Sequence, residues 1–196
     1  MKTYILPIIV MMILFSSCNK DSQLDRTIFI PDANNSELPA YTEWGYNSFG
    51  TIYERDIIVS TNRIVPCKIV YKDGTLDFLL IGRRANWKEV TLTFSFPLQE
   101  VKTIENLAVL HNFKINLTEN CIVTLEENDS QTTLDVLSGN LHFKRFQLLM
   151  VDDKINRIIL SGTFDMKFLK NGRPETISNG RFDMGITNRD FYSNVN

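Results

Sequence analysis

The chain has 196 residues, with 21 Lys and Arg against 23 Asp and Glu, a formal net charge of −2. That length suits one domain behind an export signal and is long enough to bury a substantial core. No dense basic run is present, which argues against a nucleic-acid partner, because binding to phosphates needs clustered Lys and Arg.

Residues 1–17 have the layout of an export signal. Lys2 supplies a basic start, an apolar stretch follows from Ile5 to Phe15, and Ser16-Ser17 precede Cys18. The apolar stretch is shorter than the roughly 20 residues that a membrane-spanning helix needs, so the sequence predicts cleavage. Small residues directly before a cysteine resemble the lipobox of bacterial lipoproteins, which implies cleavage before Cys18 and lipidation of its sulfur. A plain secretory signal beside a coincidental cysteine is the alternative.

Residues 18–40 are predicted to be the lipidated N-terminus and a polar tether. A short strand at Thr27–Ile30 is the one regular element that the pattern allows there. Lys20-Asp21 partly resembles the lysine-plus-acid cluster that follows the lipidated cysteine in surface-exported lipoproteins of the Bacteroidetes, although a spacer with random charges would look similar. We therefore expect lipid anchoring at the outer membrane or the cell surface, with the leaflet left open.

Residues 41–196 are predicted to form a single all-β domain, an antiparallel β-sandwich. Apolar and polar residues alternate along short stretches, as in Leu76–Leu80 and Val90–Phe96, which is typical of strands with one buried face. Asp73-Gly74 and Asn171-Gly172 predict two-residue hairpin turns, because these residues tolerate positive φ.

One segment departs from the strand pattern. Leu98, Val101, Ile104 and Ala108 follow roughly helical spacing, which favours a short helix near residues 98–108 that crosses one end of the sandwich. A bulged loop over the same residues fits the pattern as well.

Two cysteines remain after Cys18. Cys67 and Cys121 both stand at the start of predicted strands, and an oxidising compartment permits a disulfide between them. Two separate buried thiols are the alternative, because a free cysteine packs well as a small hydrophobic residue.

The sequence indicates no catalytic, metal-binding or cofactor-binding motif. His111 and His142 have no second His or Cys at metal-ligand spacing. Glu43, Glu54 and Asp56 lie near aromatic residues and could form an acid–base pair on a sugar-cleaving surface. Strand alternation would place Glu54 and Asp56 about 7 Å apart on one face, a spacing that a solvated strand face also explains. The acidic run at Glu126–Asp129 could hold calcium or form a solvated turn. We expect a protein that is not an enzyme and uses neither metal nor cofactor.

The most distinctive stretch is rich in aromatic residues. Tyr41, Trp44, Tyr46 and Phe49 fall within nine residues, with glycines between them. Strand alternation would place Trp44 and Tyr46 on one face, where exposed rings could stack on a sugar or grip a peptide. Core packing is the alternative for these rings. Trp87, which follows two arginines, is a second candidate and could meet an anionic glycan.

Three stretches resemble uncharacterised lipid-anchored proteins of the Bacteroidetes. They are Thr42–Gly50, Ile159–Phe164 and Ile177–Asp183. The resemblance implies a β-sandwich without an assigned activity and gives no functional residues; Arg181 and Asp183 could pair on one strand face.

These observations favour a non-enzymatic binding or accessory module at the cell envelope. Its expected partners are the membrane, through the anchor, and a glycan, a peptide or another envelope protein. The alternative is a structural or adhesive subunit that polymerises by strand exchange, with Thr27–Ile30 as the exchanged strand. A glycan hydrolase is the third class.

Overall fold

The computed structural model describes residues 26–60, 66–85, 88–99 and 101–194. The export signal, Cys18, Lys20-Asp21 and Trp87 lie outside the described residues. Within them no helix has the length and apolar character needed to cross a bilayer.

The described residues form eleven strands and one 3₁₀ helix. The strands are β1 (Ser48–Tyr53), β2 (Asp56–Val59), β3 (Cys67–Lys72), β4 (Thr75–Arg83), β5 (Glu89–Pro97), β6 (Phe113–Asn116), β7 (Ile122–Glu127), β8 (Ser130–Val151), β9 (Lys154–Lys170), β10 (Arg173–Ile186) and β11 (Phe191–Ser193). Strand accounts for 63% of the described residues and helix for 4%. The all-β prediction is therefore confirmed.

The strands belong to one sheet that turns back on itself. Its order runs β11-β3-β4-β2-β1-β10-β9-β8-β7-β5, with β6 beside β8 and a further pairing between β4 and β5. Neighbouring strands are antiparallel except β11, which runs parallel to β3. Because β4 pairs with both β5 and β2, the two halves of the sheet face each other across one core, as in a sandwich.

The core is built largely from phenylalanine. Inward-facing residues alternate along β4 and β5 as predicted, and their rings meet rings of β8, β9 and β10 inside the sheet. On β8 the prediction was wrong for Leu148 and Met150, which are exposed. Phe78 on β4 lies 4.9 Å from Phe182 and 5.1 Å from Phe143 between ring centroids. Phe94 on β5 lies 5.3 Å from Phe164. Burial of these large rings is the main favourable term in the folding of such a sheet.

Two-residue turns join the long strands, with both central residues at positive φ. The predicted turns at Asp73-Gly74 and Asn171-Gly172 are confirmed. Asn128-Asp129 and Asp152-Asp153 form the same kind of turn without glycine, which Asn and Asp tolerate better than other residues. The acidic run at Glu126–Asp129 is thus the end of β7 and a hairpin turn.

The predicted helix near residues 98–108 is shorter and shifted. The observed helix is a 3₁₀ helix over Ile104–Leu110. Its buried residues, Ile104, Leu107 and Leu110, recur every three positions, which is the 3₁₀ period rather than the α-helical one. Ala108, expected on the buried face, is exposed.

The predicted tether is partly folded onto the domain. Leu38 is fully buried, Pro39 packs against Gly50, and Asp32 pairs with Arg181 at 2.6 Å. Residues 26–40 therefore lie against the sheet. Thr27–Ile30 does not join the sheet as a strand, although Ile28 donates a backbone hydrogen bond to Tyr46.

The disulfide considered for Cys67 and Cys121 is not formed. Both are free thiols, since Cys67 lies on β3, Cys121 precedes β7, and β4 and β5 stand between those two strands. Three strand spacings of about 4.8 Å exceed the Cα separation of at most about 7 Å that a disulfide allows. Burial raises the pKa of Cys67 well above its usual value and that of Cys121 to about 11.

Candidate functional site: a groove on the outer face of the sheet

The loop before β1 that carries Tyr41, Trp44 and Tyr46, here called the aromatic loop, is held by one buried carboxylate. Asp183 on β10 is only 1% exposed and faces outward from the sheet. Its Oδ1 accepts hydrogen bonds from the Gly45 backbone N–H at 2.8 Å and the Ser161 hydroxyl at 2.8 Å. Its Oδ2 accepts from the Thr42 hydroxyl and from two further backbone N–H groups of the loop.

Those two N–H groups belong to Trp44, at 3.1 Å, and Tyr46, at 3.2 Å. Three backbone donors in successive residues thus converge on one carboxylate, an anion-binding nest made within the chain itself. Gly45 adopts φ +73° to turn the backbone in this way, a conformation that glycine reaches without strain. The loop is consequently fixed to β9 and β10.

The sequence suggested that Arg181 and Asp183 could pair on one strand face, but the two side chains have separate partners. The Arg181 guanidinium binds Asp32 at 2.6 Å and the Pro39 carbonyl at 3.3 Å. Arg181 and Asp183 are two positions apart in β10 and therefore share the outer face of the sheet. There the chain that precedes β1 supplies a separate partner to each.

The predicted ligand-binding residues have different environments. Trp44 is 71% exposed and lies in a bend rather than in a strand, so strand alternation does not apply to it. Tyr46 is half-buried, and Phe49 belongs to the core. Trp87 lies outside the described residues. Of the predicted aromatic site, Trp44 is the ring that the structure presents to solvent.

Beside this loop a groove of about 550 Å³ runs over the outer face of β8, β9 and β10. Tyr41, Phe164 and Gly180 line it together with six polar residues: Lys144, Thr163, Asp165, Ser178, Asn179 and Arg181. The sequence did not indicate these residues as a site, because they come from three strands and their proximity depends on the register of the β8–β9 and β9–β10 hairpins.

Tyr41 is fixed at the edge of the groove. Its hydroxyl donates to Glu43 at 2.8 Å, and the Lys144 ammonium lies 4.7 Å from the centre of its ring. Burial, followed by the neighbouring Glu43 carboxylate, raises the pKa of Tyr41 above its usual value. The phenol therefore stays neutral near pH 7 and offers an aromatic wall to a ligand.

The two histidines make local contacts. His111 accepts a hydrogen bond from the Phe146 backbone N–H at 3.2 Å, and the His142 ring lies 3.1 Å from the Asn112 amide oxygen. Burial, then Lys144 and Lys114, lowers the pKa of His142. Among the described residues no group of three or more His, Cys, Asp and Glu is placed to hold a metal ion.

The carboxylates considered for glycan cleavage have separate partners. Glu54 lies in the turn between β1 and β2, at φ +55°, and accepts hydrogen bonds from Thr176. Asp56 pairs with Arg84 at 3.5 Å. The expected spacing on one strand face was wrong, because Tyr53 pairs directly with Asp56 across a two-residue turn.

A second polar cluster closes one end of the sheet. Glu127 pairs with Arg84 and with Lys170, each at 2.7 Å. The Tyr53 hydroxyl donates to Glu175 and accepts from Lys170 at 3.1 Å. Each charge in this cluster has an opposite charge or a hydroxyl in contact, so the cluster is explained as structural closure of the core end.

Comparisons with protein-family profiles, with curated proteins and with solved structures found no match.

Proposed function

We propose that this protein is an envelope lipoprotein, anchored through Cys18, that binds a glycan without transforming it. The binding surface is the outer groove together with Trp44. The observation that carries the proposal is a tryptophan 71% exposed on a loop whose backbone is fixed by hydrogen bonds to a buried carboxylate.

An exposed aromatic ring on an ordered loop offers a surface on which a ligand can stack. Large apolar rings are mostly buried, because their transfer from water is favourable. A loop already ordered before binding loses little conformational entropy when a ligand arrives, which raises affinity. Trp44 meets both conditions, since it is exposed and its own backbone N–H is bonded to Asp183.

The groove favours a glycan over an extended peptide. Peptides that add to a sheet need a free strand edge, whereas β9 and β10 are paired on both sides. Sugar rings combine apolar faces with many hydroxyls, and the groove combines the Tyr41 ring with hydroxyl, amide and carboxylate groups. A groove that combines the Tyr41 ring with polar side chains matches that chemistry.

The lipid anchor rests on the lipobox-like run before Cys18. The resemblance of the Thr42–Gly50 stretch to lipid-anchored proteins of the Bacteroidetes fits an address at the outer membrane or cell surface. Radiolabelled palmitate should be incorporated into the wild-type chain, and Cys18→Ser should abolish the label and prevent normal cleavage. Membrane retention of a cleaved and acyl-free Cys18→Ser chain would contradict the anchor.

Glycan binding is tested on an array with the mature chain carrying Cys18→Ser. Wild type should bind a subset of the glycans, and Trp44→Ala should abolish that binding while changing the free energy of unfolding by less than about 0.5 kcal/mol, as exposed substitutions usually do. Tyr192→Ala is the matched control, because Tyr192 is 50% exposed on β11. Equal losses from both variants, or none from Trp44→Ala, would contradict the proposed surface.

A further inference from the structure

We propose that the glycan bound in the groove is anionic, with carboxylate groups that Lys114 and Lys144 bind. This inference rests on the proposed function and names the class of its ligand. It follows from a line of basic side chains that strand register brings together on the outer face.

Four residues stand in one row across four strands. Lys114 on β6 pairs with His142 on β8, His142 pairs with Thr163 on β9, and Thr163 pairs with Arg181 on β10. The neighbours of this row in each strand point into the core, as Ile115, Leu141 and Phe143 do. Directly paired residues share a face, so the whole row faces outward beside the groove.

Lys144 adds a second ammonium next to this row. It lies two residues after His142 on β8 and lines the groove itself. Lys144 stands at the register shift of β8 between Phe143 and Arg145, and its ammonium lies over the Tyr41 ring at the edge of the groove. Lys114 stands on the neighbouring strand β6, opposite His142. An ammonium bound to a carboxylate forms a charge-assisted hydrogen bond, stronger than one between neutral groups.

The charge on this face is not balanced within the described residues. Arg181 is neutralised by Asp32, whereas Lys114 and Lys144 form no ion pair there. Lys167 is exposed on the same face of β9, and Asp165 is the one acidic residue that lines the groove. The chain as a whole carries a formal net charge of −2, so this basic face is a local feature and not a consequence of composition.

Arg145 places a further cation at the same end of the groove. Its Nη2 donates to the Gln147 side chain at 2.8 Å, its charge acts on Tyr41, and its buried Nε has no hydrogen-bond partner. Among the described residues, no acidic side chain forms an ion pair with its guanidinium. A negatively charged ligand would therefore be attracted by Lys114, Lys144 and Arg145.

The test uses the lipidated mature protein in detergent micelles, with polygalacturonate and hyaluronate as probes. The methyl esters of the same two polymers are the neutral controls, because esterification removes the charge and keeps the sugar backbone. We expect at least one acidic polymer to bind roughly tenfold more tightly than its ester at low salt, with the difference shrinking as salt screens the charges.

The charge variants are Lys114→Gln combined with Lys144→Gln. This pair should weaken binding of the acidic polymer about tenfold, since each exposed charge contact contributes modestly, and should reduce the difference in affinity between the acid and its ester. Lys68→Gln is the matched control, because Lys68 is exposed on β3 away from the groove. Thermal unfolding of all variants should match wild type.

The outcomes distinguish a failure of the anionic ligand from a failure of glycan binding itself. Equal affinity for acid and ester, with binding still lost in Trp44→Ala, would overturn the anionic ligand and leave glycan binding intact. Acid-selective binding that survives Lys114→Gln and Lys144→Gln would overturn the assignment of these lysines. Failure of both polymers and both esters to bind, together with an empty glycan array, would overturn the proposed function itself.

Discussion

Replacing Asp183 with asparagine should release the loop that presents Trp44. The substitution keeps the size of the side chain but exchanges one acceptor oxygen for an NH₂ donor. If the NH₂ takes the Oδ1 position, it faces the Gly45 N–H; if it takes the Oδ2 position, it faces the N–H groups of Trp44 and Tyr46. Either orientation sets donor against donor, and only the hydroxyls of Thr42 and Ser161 can turn to adapt.

The magnitude follows from the contacts that are lost. At least one backbone N–H is left without an acceptor beneath the loop, which costs about 1–3 kcal/mol. The remaining hydrogen bonds become neutral and about half as strong as the charge-assisted ones. We expect Asp183→Asn to lower the free energy of unfolding by about 2–4 kcal/mol, a large part of the roughly 5–15 kcal/mol that holds a typical domain together.

Urea unfolding followed by far-UV circular dichroism measures this loss. The midpoint should fall while the denaturant dependence stays the same, which marks a change in stability rather than in compactness. Asp135→Asn, an exposed acid on β8, is the matched control and should change stability by less than about 0.5 kcal/mol. A loss below about 1 kcal/mol for Asp183→Asn would refute the role given to this carboxylate.

Three further outcomes are expected. Leu38→Ala should lower the free energy of unfolding in urea by about 2–5 kcal/mol, because Leu38 is fully buried and its truncation leaves a cavity. Ile30→Ala, at a more exposed position of the same segment, should lower it by less than about 1 kcal/mol. Equal small effects from both variants would mean that this segment does not belong to the core. Burial and the Glu175 hydrogen bond raise the pKa of Tyr53 to about 12, above its unfolded value near 10. The contribution of Tyr53 to stability should therefore be complete below pH 10 and be lost as the pH rises through 12, as absorbance at 295 nm and parallel urea titrations would show. Ionisation of every tyrosine near pH 10 in the folded protein would contradict this. Cys67 and Cys121 should both be alkylated after denaturation without reductant, and a mass consistent with a bridge between them would contradict the free thiols of the structure.

The sequence could predict the parts of the fold that depend on near neighbours. Alternation along Leu76–Leu80 and Val90–Phe96 depends on the two-residue period of a strand, and the turn at Asp73-Gly74 depends on the backbone freedom of two adjacent residues. Both are local properties. For that reason the inward faces of β4 and β5 and the hairpin between β3 and β4 agree with the prediction.

The site depends on contacts between residues far apart in the chain. Asp183 receives hydrogen bonds from residues 137 to 141 positions earlier, and no local pattern marks such a partner. The sequence predicted a strand at Glu54 because the neighbouring residues favour strand. Glu54 and Arg55 instead form a tight turn that contains no glycine. The long strand β8 contains register shifts, which decide which basic residues meet at the groove.

Fluorescence of Trp44 tests glycan binding at the groove most directly. With Trp87→Phe in place, Trp44 is the only tryptophan in the chain, and its emission reports contact between its ring and a ligand. Titration with a glycan that binds on the array should shift the emission of Trp44 saturably, with the same midpoint as binding measured by calorimetry. Calorimetric binding that leaves the Trp44 emission unchanged would place the ligand elsewhere and contradict the proposed surface.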